Sequence, residues 1–118
     1  MPIYNKTQQT LLASKVFFAD HFLKRAIGLL GRKSLAPGEA LIIPYCQAIH
    51  MFFMQFSIDV VFVSKTYQVV GLVPNIKPFY LSPFFLKAFF AIELEEGVIE
   101  KTKIKKGDFL DFGSINKV

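Results

Sequence analysis

Cys46, His50, Met54 and Asp59 are the residues of this chain whose types and spacing invite chemistry. They lie in segment 46–62, CQAIHMFFMQFSIDVVF, which holds the single cysteine, one of two histidines and, in Asp59, the one formal charge between Glu39 and Lys65. Folding must bury so apolar a stretch, and burial makes each polar side chain costly unless it is paired or used. Cys46, His50 and Met54, spaced four apart, are soft or borderline ligands suited to copper or zinc. One extended strand would separate neighbours by about 13 Å, and a helix would leave the outer two about 12 Å apart. Neither lets all three reach one ion, so no metal site and no cofactor are expected.

His50 and Asp59 could instead form a general-base pair with Cys46 as nucleophile, the pattern of a small hydrolase or transferase. No glycine-rich nucleophile turn accompanies them, and His21, at a helix start, reads as solvent-facing. The residues alone favour a structural account: Asp59 opens a strand and caps a turn through its carboxylate, and His50 is a satisfied interior histidine. Cys46 stands as a candidate reactive thiol, to be judged by its alkylation rate at neutral pH.

Two further groups are candidates for binding. Arg25 and Arg32, seven apart, share a helix face if the helix reaches that far, and together could hold an anionic ligand. Surface pairing with Glu93, Glu95 or Glu96 is the commoner fate of such arginines. The run between Lys77 and Lys87 is uncharged and apolar, so Phe79, Tyr80, Phe84 and Phe85 form a candidate contact loop. Such a loop can dock a protein partner, touch a membrane surface peripherally, or fold back over the core.

The elements that must position these residues are mostly strands. Segments 3–6 and 11–18 read as an opening hairpin around Gln8 and Gln9. Asp20 then offers an N-cap, and Phe22, Leu23, Ala26, Ile27 and Leu30 recur at helical spacing, predicting a helix over about 21–30 that stops at Gly31. After the Pro37-Gly38 turn come short apolar runs at 40–43, 47–54, 58–63 and 68–73. In 47–54 both alternation classes are apolar, which fits a strand covered on both faces or a buried helix. Segment 74–86, with three prolines, reads as a long loop, followed by a strand at 89–94, a helical turn near 97–102 and a last strand at 109–112. The fold class expected is mostly β (α+β), a compact antiparallel β sandwich or barrel-like domain.

At 118 residues the chain suits a single domain, 1–118, with one core. Hydrophobic residues make up 53% and charged ones 19%, which excludes disorder and leaves apolar surface for a partner to cover. Fourteen Phe and no Trp point to burial rather than recognition. The net charge of +5 comes largely from Lys24, Arg25, Arg32, Lys33 and from Lys101, Lys103, Lys105, Lys106. Neither group interleaves with aromatics, so solvated basic faces are expected rather than nucleic-acid binding. One cysteine permits no internal disulfide, and the polar start MPIYNKTQQT lacks the pattern of a secretory signal. Segment 40–58 approaches the roughly 20 residues of a membrane span, but Pro44, Gln47, His50, Gln55 and Ser57 would lack partners in lipid, so no transmembrane segment is expected.

From Arg25 onward the chain resembles the domain of unknown function 192 family, also called uncharacterised protein family 0127. The resemblance rests on Arg25-Ala-Ile-Gly-Leu-Leu-Gly-Arg32 with Leu35, Cys46-Gln-Ala-Ile-His50 with Met54, Ile58-Asp59-Val-Val-Phe62, then Glu93-Leu94, Gly97 and Gly107-Asp108, and covers about 11–113. Many relatives carry Met at Leu30, Trp-Met at Phe53-Met54 and Thr at Met51. The resemblance implies a mostly antiparallel β domain with an early helix and no established activity. Some relatives carry export signals or anchors; the lack of one here leaves a cytoplasmic, prokaryotic protein as the expectation. The leading functional expectation is a non-enzymatic binding or interaction module for an unknown small ligand or protein partner, with Arg25, Arg32, His50 and Asp59 near its functional surface. A small hydrolase or transferase using Cys46, His50 and Asp59 is the alternative, and docking through the aromatics of 79–90 a further one.

Overall fold

The computed structural model describes residues 2–19, 35–52 and 54–113. Strands β1 (Ile3–Asn5), β2 (Thr10–Ala13) and β8 (Leu110–Asp111) form a small antiparallel sheet in the order β2-β1-β8. The larger sheet runs β3-β4-β7-β5-β6, from β3 (Lys15–Phe18), β4 (Glu39–Pro44), β5 (Ile58–Val63), β6 (Val69–Ile76) and β7 (Phe90–Glu95). Helix α1 (Val98–Thr102) follows β7. The fold is therefore mostly β, with two sheets and one short helix among the described residues. The larger sheet ends at β3 and β6 and does not close into a barrel. The antiparallel expectation needs one exception, since β3 and β4 pair in parallel.

Every residue of β4 and β5 is buried, because the large sheet is covered on both sides. Val61 and Val63 of β5 join Ile3, Leu12, Leu110 and Phe112 of the small sheet and its flank, with Ile99 of α1. Ile58, Val60 and Phe62 point the other way, into a layer with Cys46, Ile49, Met51 and Ala88. The two-residue period of a strand thus divides the core into two layers. The expected helix at 21–30 falls outside the described residues, as do Asp20, His21, Arg25 and Arg32.

Three element boundaries differ from expectation. Segment 11–18 is two strands in different sheets. The N–H groups of Ser14 and Lys15 both donate to the Gly38 carbonyl, and Gly38, at φ +81°, lies where an added Cβ would crowd Ser14 Oγ. The chain switches sheets there. The described residues of the 47–54 segment, 47–52 and 54, are neither strand nor helix but loop, with an isolated bridge from His50 to Leu81. Tyr45, in left-handed backbone at φ 55°, turns the chain out of the sheet after Pro44. Finally, β6 continues through Pro74 to Ile76. Proline is tolerated there because β6 is an edge strand and the pairing carries an extra residue between Val73 and Ile76.

The N- and C-terminal parts of the described chain meet at Asp108. Its buried carboxylate accepts hydrogen bonds from Asn5 Nδ2 at 2.8 Å, Gln8 Nε2 at 2.7 Å and the Lys105 N–H at 2.9 Å. Burial pushes the carboxyl's pKa up, but the bonds from Asn5, Lys105 and Gln8, with the Lys105 charge, outweigh it and hold the group below its ordinary value.

Candidate functional site

The segment that carries Cys46 and His50 is held by a second loop, 77–89, laid antiparallel against it. The Phe79 N–H donates to the Met51 carbonyl at 2.7 Å, the Met51 N–H to Tyr80 at 2.9 Å, the Ser82 N–H to Ile49 at 2.9 Å and the Phe85 N–H to Gln47 at 2.8 Å. Two side chains add to this: Ser82 Oγ accepts from the Ile49 N–H at 2.9 Å, and Gln47 Nε2 donates to the Leu86 carbonyl at 2.6 Å. Backbone groups that a strand would pair in a ladder are satisfied between the loops instead.

Within this pair the apolar side chains divide. Cys46, Ile49, Met51 and Ala88 face the sheet. Phe85 also packs inward, 4.6 Å centroid to centroid from Phe62, with its ring over Gly71, where any Cβ would overlap it. That corrects its place among the contact residues: the missing side chain at Gly71 opens a seat in the sheet, and Phe85 fills it. Phe79, Tyr80 and Phe84 are exposed, and with them Leu81, Leu86, Phe52 and Tyr45. The lysine-bracketed run signalled the first group; nothing in the sequence signalled Tyr45 or Phe52.

His50 is exposed rather than interior, and its ring lies 4.9 Å from Phe52 in a tilted stack. Cys46 is buried, with Sγ 3.2 Å from the Ala48 carbonyl. Iodoacetamide should modify it about tenfold or more slowly in the folded protein than in urea, because a reactive thiol needs access as well as a thiolate. Equal rates, read by mass spectrometry, would show that the thiol is open after all.

Asp59 faces away from both. It is the odd-numbered neighbour of Val61 and Val63, and its carboxylate reaches across to the start of α1. Oδ2 accepts from the Ile99 N–H at 2.8 Å and the Gly97 N–H at 3.1 Å, while Oδ1 accepts from the Asn75 N–H at 2.8 Å. Asn75, with φ 54°, sits in the irregular stretch of β6, where its N–H turns from the ladder. One carboxylate thus satisfies the first turn of a helix and a strand irregularity. The sheet lies between Asp59 and the layer holding Cys46, so the structure does not bring Cys46, His50 and Asp59 into one catalytic cluster. Arg25 and Arg32 lie outside the described residues.

Beside the loop pair lies an open groove of about 620 Å³ between the β5–β6 turn and residues 86–89. Tyr45, Ser64, Lys65, Thr66, Lys87 and Phe89 line it. Among the described residues no group of three or more His, Cys, Asp or Glu could hold a metal, and no helix is long and apolar enough to cross a membrane. Lys101, Lys103, Lys105 and Lys106 are exposed on α1 and the following turns, as solvated faces are.

Two packed sheets, one short helix and a pair of zipped loops define a β-rich domain with an aromatic loop face and no assembled catalytic set among the described residues. The chain belongs to the DUF192 family, described as an uncharacterized ACR, whose model matches residues 3–112. It is 36% identical to a UPF0127 protein of Pyrococcus horikoshii over 112 residues, 90% of this chain and 94% of that protein. A UPF0127 protein of Pyrococcus abyssi is 34% identical over 116 residues, covering 93% of this chain and 96% of the other. In fold the chain is similar to a protein of unknown function from Novosphingobium aromaticivorans, at TM-score 0.76 and 20% identity, over 95% of this chain and 84% of that one.

Proposed function

We propose that this chain is a non-enzymatic interaction module that docks through the face built by loops 45–52 and 77–89. The observation that carries the reading is exposure: Phe79, Tyr80, Leu81, Phe84 and Leu86 leave between 62% and 76% of their surface in water. Apolar side chains gathered this densely on two loops mark an interaction surface more often than they arise by chance. The bonds between the loops hold the face in shape before any partner arrives, which lowers the ordering cost of binding. His50, stacked on Phe52, belongs to this face and supplies a polar group within it. Asp59 supports the fold beneath rather than contacting a ligand.

The test is a Phe79→Asp/Phe84→Asp variant. Both positions are exposed, so stability should stay within about 0.5 kcal/mol of wild type per site. Association should be lost, read by sedimentation velocity of the protein alone and with neutral phosphatidylcholine vesicles. Wild type that stays monomeric and ignores vesicles, matching the variant in both settings, would overturn the reading.

A further inference from the structure

The groove beside the docking face has a chemistry of its own. Lys65 and Lys87 both line it, and among the described residues no carboxylate does. Lys65 Nζ lies 5.4 Å from the centroid of Phe89, close enough for the ring to hold the ammonium in place. Phe89 is itself braced edge-on by Tyr45 at 4.7 Å. Ser64 Oγ and Thr66 Oγ1 on the adjoining turn hydrogen-bond to each other at 3.0 Å, and Ser64 Oγ also accepts from the Gln68 N–H, so the pair leaves one O–H to donate outward. Two ammonium groups with one hydroxyl donor, and no opposing carboxylate among the described residues, suit a phosphate. The volume, about 620 Å³, is in the range of small-ligand sites.

Position decides what carries that phosphate. Leu86 and Lys87 belong both to the groove and to the end of the apolar loop, so an anion seated on the lysines lies next to the greasy face. Lys77 stands at the other end of the same run. Protruding aromatic and aliphatic tips bracketed by lysines match an interface that is apolar within and negative at its rim. The strongly exposed tips would enter a fluid interface without needing a surface shaped to receive them.

Resting on the docking reading above, we infer that the face seats on an anionic lipid interface, with the phosphate of a lipid headgroup held in the groove by Lys65 and Lys87. The test compares wild type, Lys65→Gln/Lys87→Gln and Phe84→Asp in co-sedimentation with two vesicle preparations, phosphatidylcholine alone and phosphatidylcholine with phosphatidylglycerol. Wild type should favour the anionic vesicles. At low salt the double lysine variant should lose about 30-fold of that affinity, from two lysines near a charged surface, while keeping its weaker binding to neutral ones. Phe84→Asp should lose both, yet still show glycerol phosphate shifting the amide resonances of Tyr45 and Thr66. Equal wild-type binding to both vesicles, or an unchanged lysine variant, would overturn the headgroup site while leaving the docking face standing. Self-association abolished by Phe84→Asp, with no vesicle binding, would assign the face to a second copy of this chain and overturn the lipid inference. Glycerol phosphate shifts without vesicle binding would assign the groove to a free phosphate ester and overturn it likewise.

Discussion

Asp59→Ala should destabilise the protein by about 3–5 kcal/mol, the largest effect expected of any single substitution considered. The carboxylate is 1% exposed, and its removal leaves the N–H groups of Asn75, Gly97 and Ile99 without their acceptor. Each bond to the charged carboxylate is worth about 1.5–3 kcal/mol; the Ile99 bond is buried, while water reaching the exposed Asn75 and Gly97 offsets part of the sum. Asp59→Asn is the sharper variant. It keeps the volume and one acceptor oxygen but turns an NH2 toward donors on one side, so it too should cost about 2 kcal/mol or more. Urea unfolding gives the number, and amide exchange gives the location, since Gly97 and Ile99 should lose protection first. A fully stable Asp59→Asn variant would mean that the carboxylate is not the link between α1 and β6.

Acidification should weaken the protein through Asp108. The group's folded pKa is depressed below the ordinary value of 3.8, so the stability it contributes is fully present above that value and is lost as pH falls through the folded pKa. Asp108→Asn at neutral pH should cost about 1–3 kcal/mol, because the Asn5, Gln8 and Lys105 donors lose a charged acceptor. The diagnostic is the difference between wild type and variant in urea midpoints from pH 7 to pH 2. It should be constant down to about pH 5, then shrink as the carboxyl protonates in both folded and unfolded chains. A difference that stays flat to pH 2 would show that the carboxylate does not stabilise the junction of Asn5 with the Lys105–Asp108 turn.

These two aspartates show how far a linear reading reaches. The role of Asp59 in opening a strand and capping a turn was legible, because a lone acidic residue ahead of Val60-Val61-Phe62-Val63 has few uses inside a sheet. Its partners were not: Asn75, Gly97 and Ile99 lie 16 to 40 residues away. Asp108 was visible only as part of a Gly-Asp turn. Nothing local reveals that Asn5 and Gln8, about a hundred positions earlier, close over it.

The sequence by itself determined the β-rich class, the runs that became β4 and β5, the short helix after Gly97 and the lysine-bracketed aromatic loop, because alternation, β-branched content and turn residues act over a few positions. Tertiary structure decided the rest. Segment 47–52 is as apolar as any strand, yet it lies in a loop, since its backbone finds partners in 77–89 and its inward side chains meet the face of the sheet. The tight spacing of Cys46, His50 and Asp59 suggested a cluster. A strand sends successive side chains to opposite faces, and the sheet that buries Cys46 on one side holds Asp59 on the other.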